Sequence, residues 1–281
     1  MHFRNLHKRE FMELKKNPTG IDSLDPALQG GLPSGSLVLL LGEIGAGDFE
    51  FLVSSIARMV GRKDTGFSGK VCYVSFTRSK DDVMKEIAFS FPEFYNVIRD
   101  CLEFKDFSEA YFAQSFIPIS WSSTSRKELT IESMKWDEEE ENLMAGLIDY
   151  LDKNAKGSIV IIDSLTVLAQ YCLTRMEWKD LIMFLRGLQR ASKNWDGLIY
   201  TMLSKGIFET GRQEEIQECM DGVMIFEWDK QGASKRQRIM YMKKFRGLLP
   251  VLDQDNIVNF ETQVSSQKGF EVSNIKRVRG R

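Results

Sequence analysis

Hydrophobic and polar positions alternate along this chain in two rhythms. Leu37–Leu41 is a run of five apolar residues with no polar interruption, the signature of a strand buried on both faces. Phe49, Leu52, Ile56, Met59 and Val60 then recur at helical spacing, so the intervening turn joins a strand to a helix. Further strands are expected at Val71–Phe76, Cys101–Phe107, Ser158–Asp163 and Leu198–Leu203. Helices are expected at Ser79–Ser90, Asp137–Asn154 and Glu177–Ser192, with a short one between Gly20 and the Gly30-Gly31 break. Strands alternating with helices imply a mainly parallel sheet covered on both faces. After Met220 the rhythm changes, and Val223–Trp228, Gln237–Lys243 and Ile257–Phe260 read as strands joined by turns, an antiparallel extension at one sheet edge.

With 281 residues, 43% of them apolar, the chain can fill one full-sized core, and no proline-rich or glycine/serine-rich linker divides it. The expected organisation is an N-terminal arm (1–18), one α/β domain (19–262) and a basic C-terminal tail (263–281). The net charge of −2 argues against a broad nucleic-acid footprint. Cys72, Cys101, Cys172 and Cys219 are widely spaced and only two histidines are present, so reduced core cysteines are expected rather than a metal site or disulfides. No apolar run has the length of a spanning helix and Met1–Asn17 is charged throughout, which points to the cytoplasm. Asp137–Glu141 reads as a solvated helix start, and Ser120–Ser125 as an ordinary serine-rich loop.

The stretch with most chemical content follows the first strand. Gly42, Gly45 and Gly47 let the backbone turn so that its N–H groups could surround an anion, and Gly42 to Gly47 matches the G-x-x-x-x-G spacing of a phosphate-binding loop. The next two positions should be a lysine reaching the β- and γ-phosphates and a hydroxyl on magnesium; they are Asp48 and Phe49. Replacing lysine by aspartate turns attraction for phosphate into repulsion, and two unit charges about 4 Å apart interact by roughly 4 kcal/mol at an effective dielectric near 20.

Four stretches together resemble the KaiC branch of the RecA-like P-loop ATPases over roughly Thr19 to Phe260. They are Thr19–Asp25 leading through Gly30–Ser36 to the loop, Ile159–Thr166, Asp221–Ile225 and Lys244–Gly247. The resemblance implies a RecA-like three-layer α/β fold. It implies that Asp163 is what remains of the strand-end aspartate that orients magnesium and water, and that Lys244 and Arg246 are the pair reaching into a neighbouring subunit. It also marks Thr77 and Arg78 as standing where the family has its water-activating glutamates. Neither is a general base near neutral pH.

These departures lead to a non-catalytic relative, a pseudo-ATPase kept as a structural or regulatory partner in a homo-oligomer or a mixed assembly with a related ATPase. No metal site or cofactor is expected, and ATP with magnesium, if held, is not expected to be hydrolysed. One alternative is a weak ATP-binding protein or ATPase using substitute residues such as Lys80 and Lys205 with Asp163. Another is a RecA-like nucleic-acid binder using Lys276, Arg277, Arg279 and Arg281, although a solvated end is the simpler reading of that tail. An inverted charge pattern also leads to the expectation that Asp48 pairs with Arg78, directly or through water, in the space of a γ-phosphate, with Phe49 packed into the core.

Overall fold

In the computed structural model, the described residues are 15–60, 69–113, 115–118, 143–229, 237–255 and 257–277. Strand β3 (Ser36–Gly42) is buried along its whole length. Its side chains divide between two cores: Val38 and Leu40 join one cluster, while Leu37, Leu39 and Leu41 join the other. That division is what an uninterrupted apolar run produces when a strand has helices above and below it.

Among the described residues nine strands form one sheet in the order β11-β10-β9-β8-β3-β7-β6-β4-β5. The parallel part comprises β3, β4 (Val71–Ser75), β5 (Leu102–Asp106), β6 (Ile159–Asp163), β7 (Leu198–Ser204) and β8 (Gly222–Asp229). Antiparallel pairing then adds β9 (Gln237–Phe245), β10 (Ile257–Ser265) and β11 (Gly269–Arg277). The small pair β1 (Lys16–Asn17) and β2 (Leu32–Pro33) brings the N-terminal segment to the start of β3.

One face of the sheet carries α1 (Asp48–Val60), α2 (Lys80–Ser90) and α3 (Pro92–Cys101), whose Leu52, Ile56, Val83, Ile87 and Ile98 lie in the first cluster. A short α4 (Ser108–Phe112) follows β5. The other face carries α5 (Leu143–Asn154), α6 (Leu165–Arg175), α7 (Trp178–Trp195) and α8 (Thr210–Glu218), which contribute Leu147, Leu168, Leu185 and Ile216 to the second. A last short helix, α9 (Leu249–Gln254), precedes β10. This is the expected three-layer α/β architecture with its antiparallel extension.

Three sequence expectations change. The segment after Gly20 is a run of turns with local bonds such as Leu28 N–H to Leu24 O (3.0 Å), not a helix. Its chain is fixed instead by Asp25, which accepts from Thr19 N–H (2.6 Å) and Thr19 Oγ1 (2.7 Å). The boundary drawn at 262 falls inside β10, and 263–277 is no tail: β10 and β11 pair as a hairpin, with Lys276 at 3.1 Å from Glu261 and 3.3 Å from Asp229. Lys276 reads as a free basic charge only until the neighbouring strands bring acidic partners to it. Ser120–Ser125, Asp137–Glu141, Arg279 and Arg281 lie outside the described residues. All four cysteines are free, with Cys72, Cys172 and Cys219 buried.

Candidate functional site

The glycine loop lies where β3 hands over to α1. Gly45 (φ +73°) and Gly47 (φ +110°) take backbone conformations that side-chain-bearing residues rarely adopt, and Ala46 N–H closes the turn on Glu43 O at 2.9 Å. The loop therefore has the folded-back shape that its spacing implies. What fills it differs from a phosphate. Asp48, the first residue of α1, lays its carboxylate against Gly42, so closely that a Cβ there would stand 2.6 Å from Asp48 Cγ. A side chain at Gly42 would displace that carboxylate.

Burial pushes the Asp48 carboxyl up to about 6, against the opposing pull of its own and Phe49's backbone N–H groups; Glu50 and Asp163 add further repulsion. The helix N-terminus favours the anion, but desolvation outweighs it. Phe49, at the position for a magnesium-binding hydroxyl, is half-buried against the core and lies under the Arg78 guanidinium, 5.5 Å from its ring centroid.

At the end of β6, Asp163 has only 12% of its side chain exposed. Its Oδ2 accepts from the Tyr73 hydroxyl and lies 3.5 Å from Arg78 Nη1. Burial raises its pKa, although Tyr73 and Arg78 work in the other direction. Arg78 Nη2 also bonds Glu86 of α2, and the Arg78 backbone N–H donates to Ser75 Oγ at 3.0 Å. Thr77 is exposed.

The direct form of the expected Asp48–Arg78 pair is not made: Arg78 pairs with Asp163 and Glu86, and Asp48 enters no ion pair among the described residues. Sheet order supplies the reason. Asp163 is the register partner of Ser75, on the strand next to β4, which sets its carboxylate beside Arg78, while the other side of the guanidinium lies over the Phe49 ring. Arg78 meets the β6 carboxylate first.

The substitute lysines are placed apart. Lys80 is exposed at the start of α2, and Lys205 is held beyond β7 by Glu227 and by Glu43 at 3.4 Å. Lys244 turns inward, donating to the C-terminal carbonyls of α8 at Glu218 (2.8 Å) and Gln217 (3.2 Å). Arg246 keeps 60% of its side chain exposed and stands 3.8 Å from the buried Asp221, which also accepts from Leu37 N–H at 2.9 Å. Sequence reasoning missed Tyr73, Glu86, Glu43 and Glu227, all of which reach the site through strand register or helix packing rather than through a motif.

This donor set is a poor match for a nucleotide triphosphate with magnesium. The cradle at Gly42 is filled by a carboxylate, the hydroxyl position is an aromatic ring, and the remaining acid is already bonded to a phenol and a guanidinium. Among the described residues no group of three His, Cys, Asp or Glu side chains is gathered for a metal, and no helix is long and apolar enough to cross a membrane.

Comparison with known proteins bears on the fold and the family. A search of curated proteins finds no match. Among solved structures, a KaiC-like protein from the hyperthermophilic archaeon Pyrococcus horikoshii superposes with a TM-score of 0.63 at 17% identity, over 93% of this chain and 100% of that one, which shows a shared fold. The family model of the KaiC ATPase matches residues 17–252, most of the chain and all of the glycine loop, β4 and β6. On that match, the chain belongs to the KaiC family of RecA-like P-loop ATPases.

Proposed function

We propose that this chain is a non-catalytic member of its family, a pseudo-ATPase that serves as a structural or regulatory partner. The observation that carries the reading is Asp48: where phosphate transfer needs a cation, a carboxylate lies against Gly42 and faces the loop's own amides. The charge on that group repels phosphate, and its position leaves the loop little need of a ligand. Arg78 supports the same reading, because it ties Asp163 to Glu86 at the position where the family would place a base.

The substitute-lysine reading is weakened by Lys205, which Glu43 and Glu227 neutralise, and the nucleic-acid reading by Lys276, which Asp229 and Glu261 neutralise. Assembly is part of the proposal. Arg246 remains exposed in the segment that crosses to a neighbour in the family, so this chain could complete a related subunit's site without having one of its own. A phosphate-release assay at micromolar protein tests the non-catalytic reading. It expects ATP turnover no greater than that of a mock purification, and turnover that co-purifies with the chain and rises with its concentration would sink it.

A further inference from the structure

We infer that the end of β8 together with the antiparallel extension forms an intramolecular strap that holds the glycine loop in shape, doing from inside the chain what a bound nucleotide does for an ordinary phosphate-binding loop. This goes beyond the loss of catalysis, because it concerns what orders the loop whether or not any turnover remains. Trp228 and Arg238, which grip the loop, lie inside the family match of residues 17–252, and the hairpin that completes the strap begins beyond it at Ile257.

The contacts run residue by residue. Glu43 Oε2 accepts from the Trp228 backbone N–H at 3.2 Å, and Ile44 O accepts from the Trp228 indole N–H at 3.2 Å. Gly45 O accepts from Arg238 Nε at 3.0 Å. Trp228 and Arg238 are direct register partners on β8 and β9, and the guanidinium stacks on the indole at 4.5 Å from its ring centroid. That stack fixes two donors side by side, one for each of two consecutive loop carbonyls.

Gly47 completes the series, since a Cβ there would stand 3.5 Å from the Phe270 ring and 3.6 Å from Arg238 Cδ. Phe270, on β11, is fully buried, with ring centroids 5.4 Å from Phe51 and 6.0 Å from Phe226. Its backbone N–H donates to Ser54 Oγ of α1 at 2.8 Å, and its carbonyl accepts from Arg58 at 3.4 Å. The hairpin is therefore fastened to the helix that follows the loop while β8 and β9 hold the loop itself. Loop carbonyls gripped by an indole and a guanidinium need no ligand to keep them in place, which is the sense in which the strap replaces a nucleotide.

Hydrogen–deuterium exchange on the full chain without nucleotide tests this, comparing wild type with R238A and W228F. W228F deletes the indole donor and keeps an aromatic ring for Arg238, so it perturbs packing least. The expected result is a loop peptide spanning 43–51 that is protected in wild type and exchanges about tenfold faster in each variant, the scale of one lost hydrogen bond. Peptides covering 159–163 and 198–204 should exchange as in wild type, which separates loosening of the loop from loss of the fold. A wild-type loop as exposed as an open chain would overturn the inference, as would variants whose loop exchanges at the wild-type rate. ATP turnover plays no part in this readout, so a catalytic chain could still carry the strap and a strapless chain could still be inactive.

Discussion

Replacing Asp48 by Asn isolates the charge on which the account turns. The Asp48 carboxyl is raised from 3.8 to about 6, chiefly by burial. A folded-state pKa above the unfolded value means that the folded chain binds the extra proton between the two. Stability contributed by this group is thus greatest below about pH 4, falls as pH rises through about 4 to 6, and the full penalty persists above that. A shift of about two units corresponds to a ceiling of ~3 kcal/mol. Asparagine keeps an oxygen acceptor for the two backbone N–H groups and removes the charge, but its amide brings donors that lack assured partners, costing about 1 kcal/mol. The net expectation for D48N is a gain of roughly 1–2 kcal/mol at pH 8 that fades towards pH 4. Asp163 titrates in the same direction, and the comparison of variant with wild type removes most of its contribution. Urea denaturation at pH 4, 6 and 8 measures the difference. A variant less stable than wild type at pH 8, or a gap that does not change with pH, would refute the reasoning.

R78M leaves Asp163 without its guanidinium and Glu86 without its partner; a loss of roughly 1–3 kcal/mol in urea denaturation at pH 7 is expected, and no loss would mean that the network contributes nothing. K244M removes the donor to the last carbonyls of α8 and should cost about 1 kcal/mol, whereas R246A should stay within about 0.5 kcal/mol in the same assay. If Arg246 faces a neighbour, R246A should instead weaken assembly with a related ATPase in sedimentation velocity, and unchanged assembly would remove it from the interface. K276A, which breaks only partly exposed ion pairs, should cost no more than about 1 kcal/mol, and the wild-type chain should give no salt-dependent gel shift with single- or double-stranded DNA.

How much was legible depended on whether a property is local. The two-sided burial of Leu37–Leu41 and the turn after Gly42 were written in consecutive residues, so β3, the loop and α1 could be read directly. Helix α6 escaped because only Asp163 and Ser164 separate the apolar strand from Leu165, Leu168, Ala169 and Cys172, and its start is marked by a single N-cap, Ser164, which accepts from Val167 N–H at 3.3 Å. Helix α8 escaped for the opposite reason: Ile216 is its one buried apolar side chain, which leaves no stripe to read. The departures from the phosphate-loop pattern at Asp48 and Phe49, and the residues Thr77 and Arg78 after the second strand, were visible by position. The partner of Arg78 was not, because Asp163 reaches it only through the pairing of β4 with β6. The strap was hidden for the same reason, since Trp228 and Arg238 become neighbours only through the register of β8 and β9.

The central claim is that the loop is occupied by its own carboxylate and repels phosphate. Isothermal titration of ATP with magnesium into the full chain at pH 8, where Asp48 is ionised, tests it most directly. The account predicts no saturable heat up to millimolar nucleotide. One-to-one binding with a dissociation constant near 1 μM, about −8 kcal/mol, would contradict it.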